Sequence, residues 1–492
     1  MPITVNEAKC IGCGLCLLAC PEDAFTVYLR AQVDNDKCND CEICVDYCPT
    51  NALSLTVPFD AIVIGAGAGG LTAAARLAHS GYRTLILEKA PYLGGRWSSL
   101  RRNGIDIPTG AYSIERGGAV EETFQAVGAK LDLVSSQPES KYWYQGQIID
   151  PGEGSGRLRR TLQAVAEDPQ QVDAAMGAMR KTMGGQMPPP EVTLEDWLGS
   201  VTKEEGIKEV FRVLSKAIVA IDADQVAAAD FFRWLMNAPS DHGFTRQATI
   251  NTVRELTQVV TRSGGEAWTR AQVKRIVLED GLAKGAVVER EGREVTASAR
   301  VIVSNVGPGR TARLAGVENL PPEYVAHLQE AARSAGHEET KPHFGVYIES
   351  DEPLLDFPGP LFPLGVKRVC LIINPTIITE WSPQGKHLTI LDAVGQSADL
   401  DREAAEIMKE VDLILPYWRE RGRLVMLSCQ QGEEYGHTDQ SKGEPVETPI
   451  ANLFNVGTRV RSQKGLTGTA GAADTAREAV AVIEERFPSN RA

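Results

Sequence analysis

The 492-residue chain has no apolar run approaching the roughly 18 residues of a membrane span. Nor has it a basic excess: 65 Asp and Glu outnumber 51 Lys and Arg, giving a formal net charge of −14. That balance argues against a nucleic-acid partner, which needs a basic surface, and against anionic membrane surfaces. A basic protein partner, or an anionic cofactor held by local backbone dipoles, stays compatible with it. The opening residues, MPITVNEAKC, contain neither an apolar signal core nor an early arginine pair, so a cytoplasmic protein is expected. Cysteine is scarce beyond residue 50, where only Cys370 and Cys429 occur. The other eight of ten lie before it, and in a long unexported chain that distribution reads as metal ligation rather than disulfides. The length allows about two to four domains with a sizeable core.

The early cysteines form two copies of one motif. CIGCGLCLLACP places Cys10, Cys13, Cys16 and Cys20 before Pro21, and CNDCEICVDYCP places Cys38, Cys41, Cys44 and Cys48 before Pro49. Each reads C-x2-C-x2-C-x3-C-P, and every cysteine of the second copy follows its counterpart by 28 residues. Lys9 and Lys37, Ala24 and Ala52, and Phe25 and Leu53 repeat at the same offset, so the segment is an internal duplication. Three thiolates at this spacing wrap one corner of a cubane cluster, because the backbone between them turns tightly around it. Zinc, the alternative, uses two CxxC pairs separated by a longer loop. Residues 1–57 resemble the bacterial-type 2[4Fe-4S] ferredoxin over their full length. There the fourth cysteine of each run serves the other cluster. The resemblance implies Cys10, Cys13, Cys16 and Cys48 on one [4Fe-4S] cluster, and Cys20, Cys38, Cys41 and Cys44 on the second.

A second motif follows almost at once. FDAIVIGAGAGG runs a buried-strand pattern, Ala61 to Ile64, into Gly65, Gly67 and Gly70, a G-x-G-x-x-G turn. An alanine-rich helical segment comes next, then the strand TLILEK, with Glu88 23 residues after Gly65. Strand, turn, helix and acid together fit a dinucleotide fingerprint: backbone amides meet the pyrophosphate and Glu88 meets the ribose. LGGRWSS then places Gly94, Gly95 and Arg96, and GIDIPTGAY follows with Asp106 and Gly110. Residues 58–492 resemble the phytoene desaturase and amine oxidase group of FAD-dependent flavoproteins, strongly at both ends and faintly between. That resemblance implies that Gly95 and Arg96 pass the flavin phosphates and that Val273 lies against the adenine half of FAD. It also implies that Gly457, Gly468 and Thr469 close the site near the C-terminus. The loop RVRSQKGLTG lacks the proline-glycine pair common in carotenoid desaturases, which removes the basis for carrying their substrate over.

The expected architecture is an α/β and α+β multidomain chain. A ferredoxin domain occupies 1–57, and a Rossmann-like FAD-binding domain is assembled from 58–115, 246–315 and 446–492. A mixed α/β substrate or docking domain is inserted as 116–245 and 316–445. The stretch 264–305 reads as short strands around turns, and PGEGSG at 151–156 as a plain turn. There is one dinucleotide fingerprint, not two, so the clusters rather than NAD(P)H are expected to exchange electrons with the flavin. The expected activity is reduction or desaturation of a carbon–carbon bond in an organic, apolar substrate, with a ferredoxin or complex subunit as redox partner. The alternative is an electron-transfer subunit with no small substrate of its own. Tyr435 and His437, in EEYGHTD, are candidates for the proton donor or acceptor over the flavin; a surface or packing role is the alternative for each. Cys370 and Cys429 read either as a redox pair or as free thiols, and Lys464 either as a phosphate ligand or as a solvated loop lysine.

Overall fold

Four consecutive apolar residues, all buried, make Ala61–Ile64 a strand covered on both faces. In the computed structural model it is central to a five-stranded parallel sheet. The order is Glu266–Trp268, Thr84–Leu87, Ala61–Ile64, Val301–Ser304, Leu453–Asn455. The residues described are 3–39, 41–136, 140–219, 221–237, 241–334, 341–430 and 443–489. Helices Ala68–His79, Ile250–Arg262 and Gly468–Arg486 cover one face, packing Leu71, Ala75, Val253, Leu256, Ala476 and Ile483 into a single core.

The other face is covered by an antiparallel meander, Ala271–Glu279, Leu282–Arg290 and Arg293–Ser298. The sequence reads as short strands here, but two of them run nine residues. Each hairpin closes in only two residues, Asp280-Gly281 and Glu291-Gly292, with φ of 50°, 73°, 53° and 77°. Two positive-φ residues in a row give the turn whose twist matches the strands, so pairing continues to the very tip.

The cysteine-rich segment does not end where the next domain begins. Ile3–Val5 pairs antiparallel with Leu53–Leu55, and Leu53–Pro58 then pairs parallel with Thr296–Ser298. The meander thereby becomes a five-stranded sheet in which the N-terminal segment supplies the edge strand Ile3–Val5 and its neighbour Leu53–Pro58. After Pro58 the chain reverses: Phe59 N donates to Ser298 O (2.8 Å) and Asp60 N to Arg83 O (2.8 Å). The boundary at 57 therefore falls inside one strand. A second boundary also moves. Helix Ala119–Ala126, which the sequence division at 116 assigns to the inserted region, buries Ala119, Val120 and Phe124 against helices 68–79 and 468–486.

The inserted region builds a seven-stranded sheet, ordered Gln147–Ile149, Lys141–Tyr144, Leu361–Pro363, Val369–Ile373, His387–Val394, His343–Ser350, Gly422–Gln430. Helices 157–165, 169–183, 194–201, 205–219 and 228–237 pack beside it. PGEGSG is a turn folded around the Arg160 guanidinium, which donates to the carbonyls of Pro151, Glu153 and Ser155.

Helix Leu400–Ile414 is tied to this sheet by buried charge. Glu403 accepts from Arg368 Nε (2.7 Å), Gln396 N (2.8 Å) and Ser397 Oγ (2.9 Å). Burial opposes its ionisation, but Arg368 and these donors prevail and pull the carboxyl down to about 2. The folded value lies below the ordinary ~4.3, so this contribution is full above about pH 4.5 and is lost as pH falls toward 2. Glu403→Gln is expected to cost about 3 kcal/mol by leaving Arg368 under-paired. Urea midpoints of the anaerobic protein at neutral pH check this; an unchanged midpoint refutes it.

Candidate functional site

Two short helices, Leu15–Ala19 and Ile43–Asp46, each follow a left-handed residue, Gly14 (φ 79°) and Glu42 (φ 61°). The duplicated turns carry the thiols inward. Cys10, Cys13 and Cys16 line one hollow together with Cys48, closed by Ala31, Ala52 and Leu53. Cys44 stands within electrostatic reach of Cys38, Cys20 and Cys41. Each group thus draws its fourth thiol from the other run. The repeat also places matched amides on those thiols: Ala24 N donates to Cys20 Sγ (3.4 Å) and Ala52 N to Cys48 Sγ (3.2 Å). Ala31 N donates to Cys10 Sγ (3.4 Å). Among the described residues no three His, Cys, Asp or Glu side chains close on a single metal ion. A tetrahedral zinc holds its thiolates within about 4 Å of one another. Four thiols lining one hollow suit an iron-sulfur cluster, whose irons each take a separate thiolate.

The glycine-rich turn is shaped by a close approach. Gly65 (φ 90°) donates its N–H to Leu87 O (2.8 Å), and a Cβ on Gly70 would lie 1.9 Å from Gly65 O. The helix that starts here has Gly67 as N-cap and no side-chain cap, so its first amides are left for a ligand. Gly95 faces this turn, with its Cβ direction 4.0 Å from Gly67 Cα. Helix Gly468–Arg486 also starts without a side-chain cap, and its first turn carries Gly468 and Thr469. Gly457 abuts the other helix: a Cβ on Gly69 would lie 3.0 Å from Gly457 N.

At the far end, Glu88 is buried and accepts from Ala66 N (2.9 Å) and Ala90 N (2.8 Å). Ala271 N donates to Glu88 O (2.8 Å), which brings Val273, also buried, to the same end. Gly94 N donates to Ala66 O (2.9 Å), and Arg96 beyond it lies 3.5 Å from Thr458 Oγ1. Two uncapped helix starts, apposed glycines and a buried acid fit the pyrophosphate and ribose of a dinucleotide such as FAD. Asp106 is paired with Arg101, and Gly110 packs directly against the Arg96 carbonyl. Lys464 is half exposed, 4.0 Å from Asp474. Cys370 is buried and Cys429 exposed, and burial pushes both thiols up, so neither has the lowered pKa of a reactive thiol.

Tyr435 and His437 lie outside the described residues. The structure reveals a different polar group beside the Arg96 end, which the sequence reading missed. Thr109 Oγ1 donates to Gly95 O (2.7 Å), fixing the segment that leads to Tyr112. Tyr112 Oη donates to Asp392 Oδ2, and His343 and Tyr347 on the neighbouring strand lie within electrostatic reach of that carboxyl. Burial raises Asp392 and Tyr112 and lowers His343, whose ring also feels Asp392 and, in the opposite sense, Arg96. All three are driven toward their uncharged forms. One signal was present in the sequence: Asp392 is the lone acid in the apolar strand HLTILDAV.

Comparison with known proteins accords with both halves. Residues 3–55 match the 4Fe-4S dicluster domain, and residues 63–127 the NAD(P)-binding Rossmann-like domain. The second match runs past residue 116 and includes helix Ala119–Ala126. A zeta-carotene-forming phytoene desaturase of Myxococcus xanthus is 42% identical over 71 residues, 14% of each chain. The all-trans-retinol 13,14-reductase of Macaca fascicularis is 26% identical over 317 residues, 53% of this chain and 50% of that one. The chain thus spans half or less of the length of these curated relatives. A solved oxidoreductase from Methanosarcina mazei shares the fold with a TM-score of 0.74 at 22% identity, over 85% of this chain and 99% of that one. The chain thus joins a segment similar to a 4Fe-4S dicluster domain to a Rossmann-like segment similar to part of a phytoene desaturase.

Proposed function

We propose that the protein is an FAD- and iron-sulfur-dependent oxidoreductase. It relays electrons between two [4Fe-4S] clusters and FAD, and reduces or desaturates a carbon–carbon bond of an organic, largely apolar substrate. The observation that carries this reading is the shared sheet: the thiol-bearing segment is built into the FAD domain rather than tethered to it. Ion pairs Lys9–Glu294 (2.8 Å) and Arg293–Asp46 (2.8 Å) add to the junction. Both lie at the end of the meander where Ala271 pairs with Arg290, the end beside Glu88. The relay is therefore fixed, and it meets the cradle at its adenosine end.

Bound clusters and FAD supply one-electron and one- or two-electron exchange respectively. The chain's own residues hold them. Cys10, Cys13, Cys16 and Cys48 would ligate one cluster, and Cys20, Cys38, Cys41 and Cys44 the other. The amides around Gly65, Gly67 and Gly70 would hold the pyrophosphate, and Glu88 would orient the ribose. Gly95, Arg96, Val273, Gly457, Gly468 and Thr469 would line the rest of the cofactor. A redox protein docking on the cysteine-rich segment would deliver or collect electrons; Ile11, Leu18, Tyr28 and Leu29 there are 64%, 82%, 89% and 76% exposed. That exposed apolar face also favours a second reading, a subunit that passes electrons only between proteins. A cytoplasmic location keeps eight thiols reduced for metal.

Anaerobic titration separates the two readings. Reduced ferredoxin is expected to bleach the cluster and flavin bands together, and a conjugated polyene or enoyl compound to restore the flavin band with no other protein present. Restoration by a second protein alone overturns the enzyme reading.

A further inference from the structure

The Tyr112–Asp392–His343 group is unusual for an apolar substrate. Tyr112 packs in a core with Phe244, Trp381, Ile373 and Leu388, and Asp392 and His343, on adjacent strands beside it, are part-buried. Asp392 and His343 thus keep surface that a ligand can reach. The group borders the Arg96 end of the cofactor cradle, through Thr109 on Gly95 and through the reach of Arg96 to His343. A pure hydrocarbon seated there would strip water from these polar surfaces and return no hydrogen bond, which is costly.

We propose that Tyr112, Asp392 and His343 receive a carbonyl oxygen of the substrate, so that the reacting carbon–carbon bond is conjugated to that carbonyl. The inference rests on the oxidoreductase reading and deepens it by naming the substrate class. Burial favours the uncharged carboxyl of Asp392; in that form it can reverse its hydrogen bond with Tyr112, donating its own proton to the phenol oxygen and freeing the phenol proton for the ligand. Neutral His343 supplies a second ring donor or acceptor. Hydrogen bonds to the carbonyl draw electron density from the conjugated bond, which suits hydride exchange at its far carbon.

The test is equilibrium binding to the FAD-loaded, oxidised, anaerobic protein, read from perturbation of the flavin absorbance. The probes are 3-decen-2-one, a conjugated enone, and the hydrocarbon 1-decene. Wild type is expected to prefer the enone by about tenfold or more, the worth of one good hydrogen bond. Tyr112→Phe and the shape-conserving Asp392→Asn are each expected to reduce that preference below about threefold while leaving decene affinity unchanged. Flavin content and melting temperature report whether each variant is folded. Equal affinity of wild type for the two probes, including no binding of either, overturns the proposal, as does full preference in both variants. A Tyr112-dependent preference for an enone that never reoxidises reduced flavin sinks the oxidoreductase reading and leaves the carbonyl site standing. Reoxidation by the enone without that preference does the reverse.

Discussion

Gly70→Ala is expected to yield protein that retains less than about a tenth of the FAD bound by wild type. The new Cβ would lie 1.9 Å from Gly65 O, with the Gly65 carbonyl carbon at 3.1 Å and Asn305 Cβ at 3.2 Å. None of these is the far end of a flexible side chain, so the backbone itself must move. Gly65 cannot retreat freely, because its N–H is bonded to Leu87 O in the central sheet. The first turn of helix Ala68–His79 must move instead, carrying away the uncapped amides expected to meet the pyrophosphate. Overpacking at such a site costs about 1–3 kcal/mol in stability, and a misplaced donor set costs affinity as well. Gly199→Ala is the control: that glycine lies in helix Leu194–Val201 with nothing within 4 Å of its Cβ direction, so the change is expected to be neutral or slightly stabilising. The flavin-to-protein ratio after anaerobic purification, with the thermal midpoint, decides. Full flavin content in Gly70→Ala contradicts the assignment of this turn to the cofactor.

Much of this was legible in the sequence because it is local. The cysteine runs and the strand–turn–helix from Ala61 to His79 are each set by spacing within about twenty residues. The Tyr112–Asp392 bond instead joins positions 280 residues apart, and no local pattern marks Tyr112 or His343 as partners of that acid. The junction was hidden for the same reason: Thr56 pairs with Thr296, and such pairing has no short-range signature. The two motifs follow each other almost at once in the sequence. What it could not give was the reversal at Phe59–Asp60, which returns the cysteine-rich segment to the Glu88 end of the cradle rather than leaving it at the opposite edge. Helix Ala119–Ala126 was misassigned because an amphipathic helix does not announce which core takes its apolar face.

Removing one iron-sulfur ligand is expected to delete one cluster and leave the other, and pairs of substitutions reveal which thiols belong together. Cys13→Ala and Cys48→Ala are each expected to lower the iron content from about eight to about four per chain, since each cluster of four irons needs its full set of thiolates. The double variant Cys13→Ala/Cys48→Ala is expected to remain at about four, because both thiols line the same hollow. Cys13→Ala/Cys20→Ala, although confined to one sequence run, is expected to lose both clusters, because Cys20 stands with Cys38, Cys41 and Cys44. Ligation within each run predicts the reverse for the two doubles, so iron analysis with EPR of the reduced protein distinguishes the arrangements. Alanine is used because a serine oxygen can replace a thiolate and blur the count. The two crossing thiols share one amide contact, Ala24 N on Cys20 and Ala52 N on Cys48, while Cys48 also has Thr50 Oγ1 at 3.8 Å where the first copy has Glu22. A difference in potential between the clusters can arise from such differences within the repeat and from the junction with the meander. The double variant Cys13→Ala/Cys48→Ala keeps Cys20, Cys38, Cys41 and Cys44, and with them one whole cluster set. Whether its flavin still bleaches with reduced ferredoxin identifies which cluster makes the last transfer.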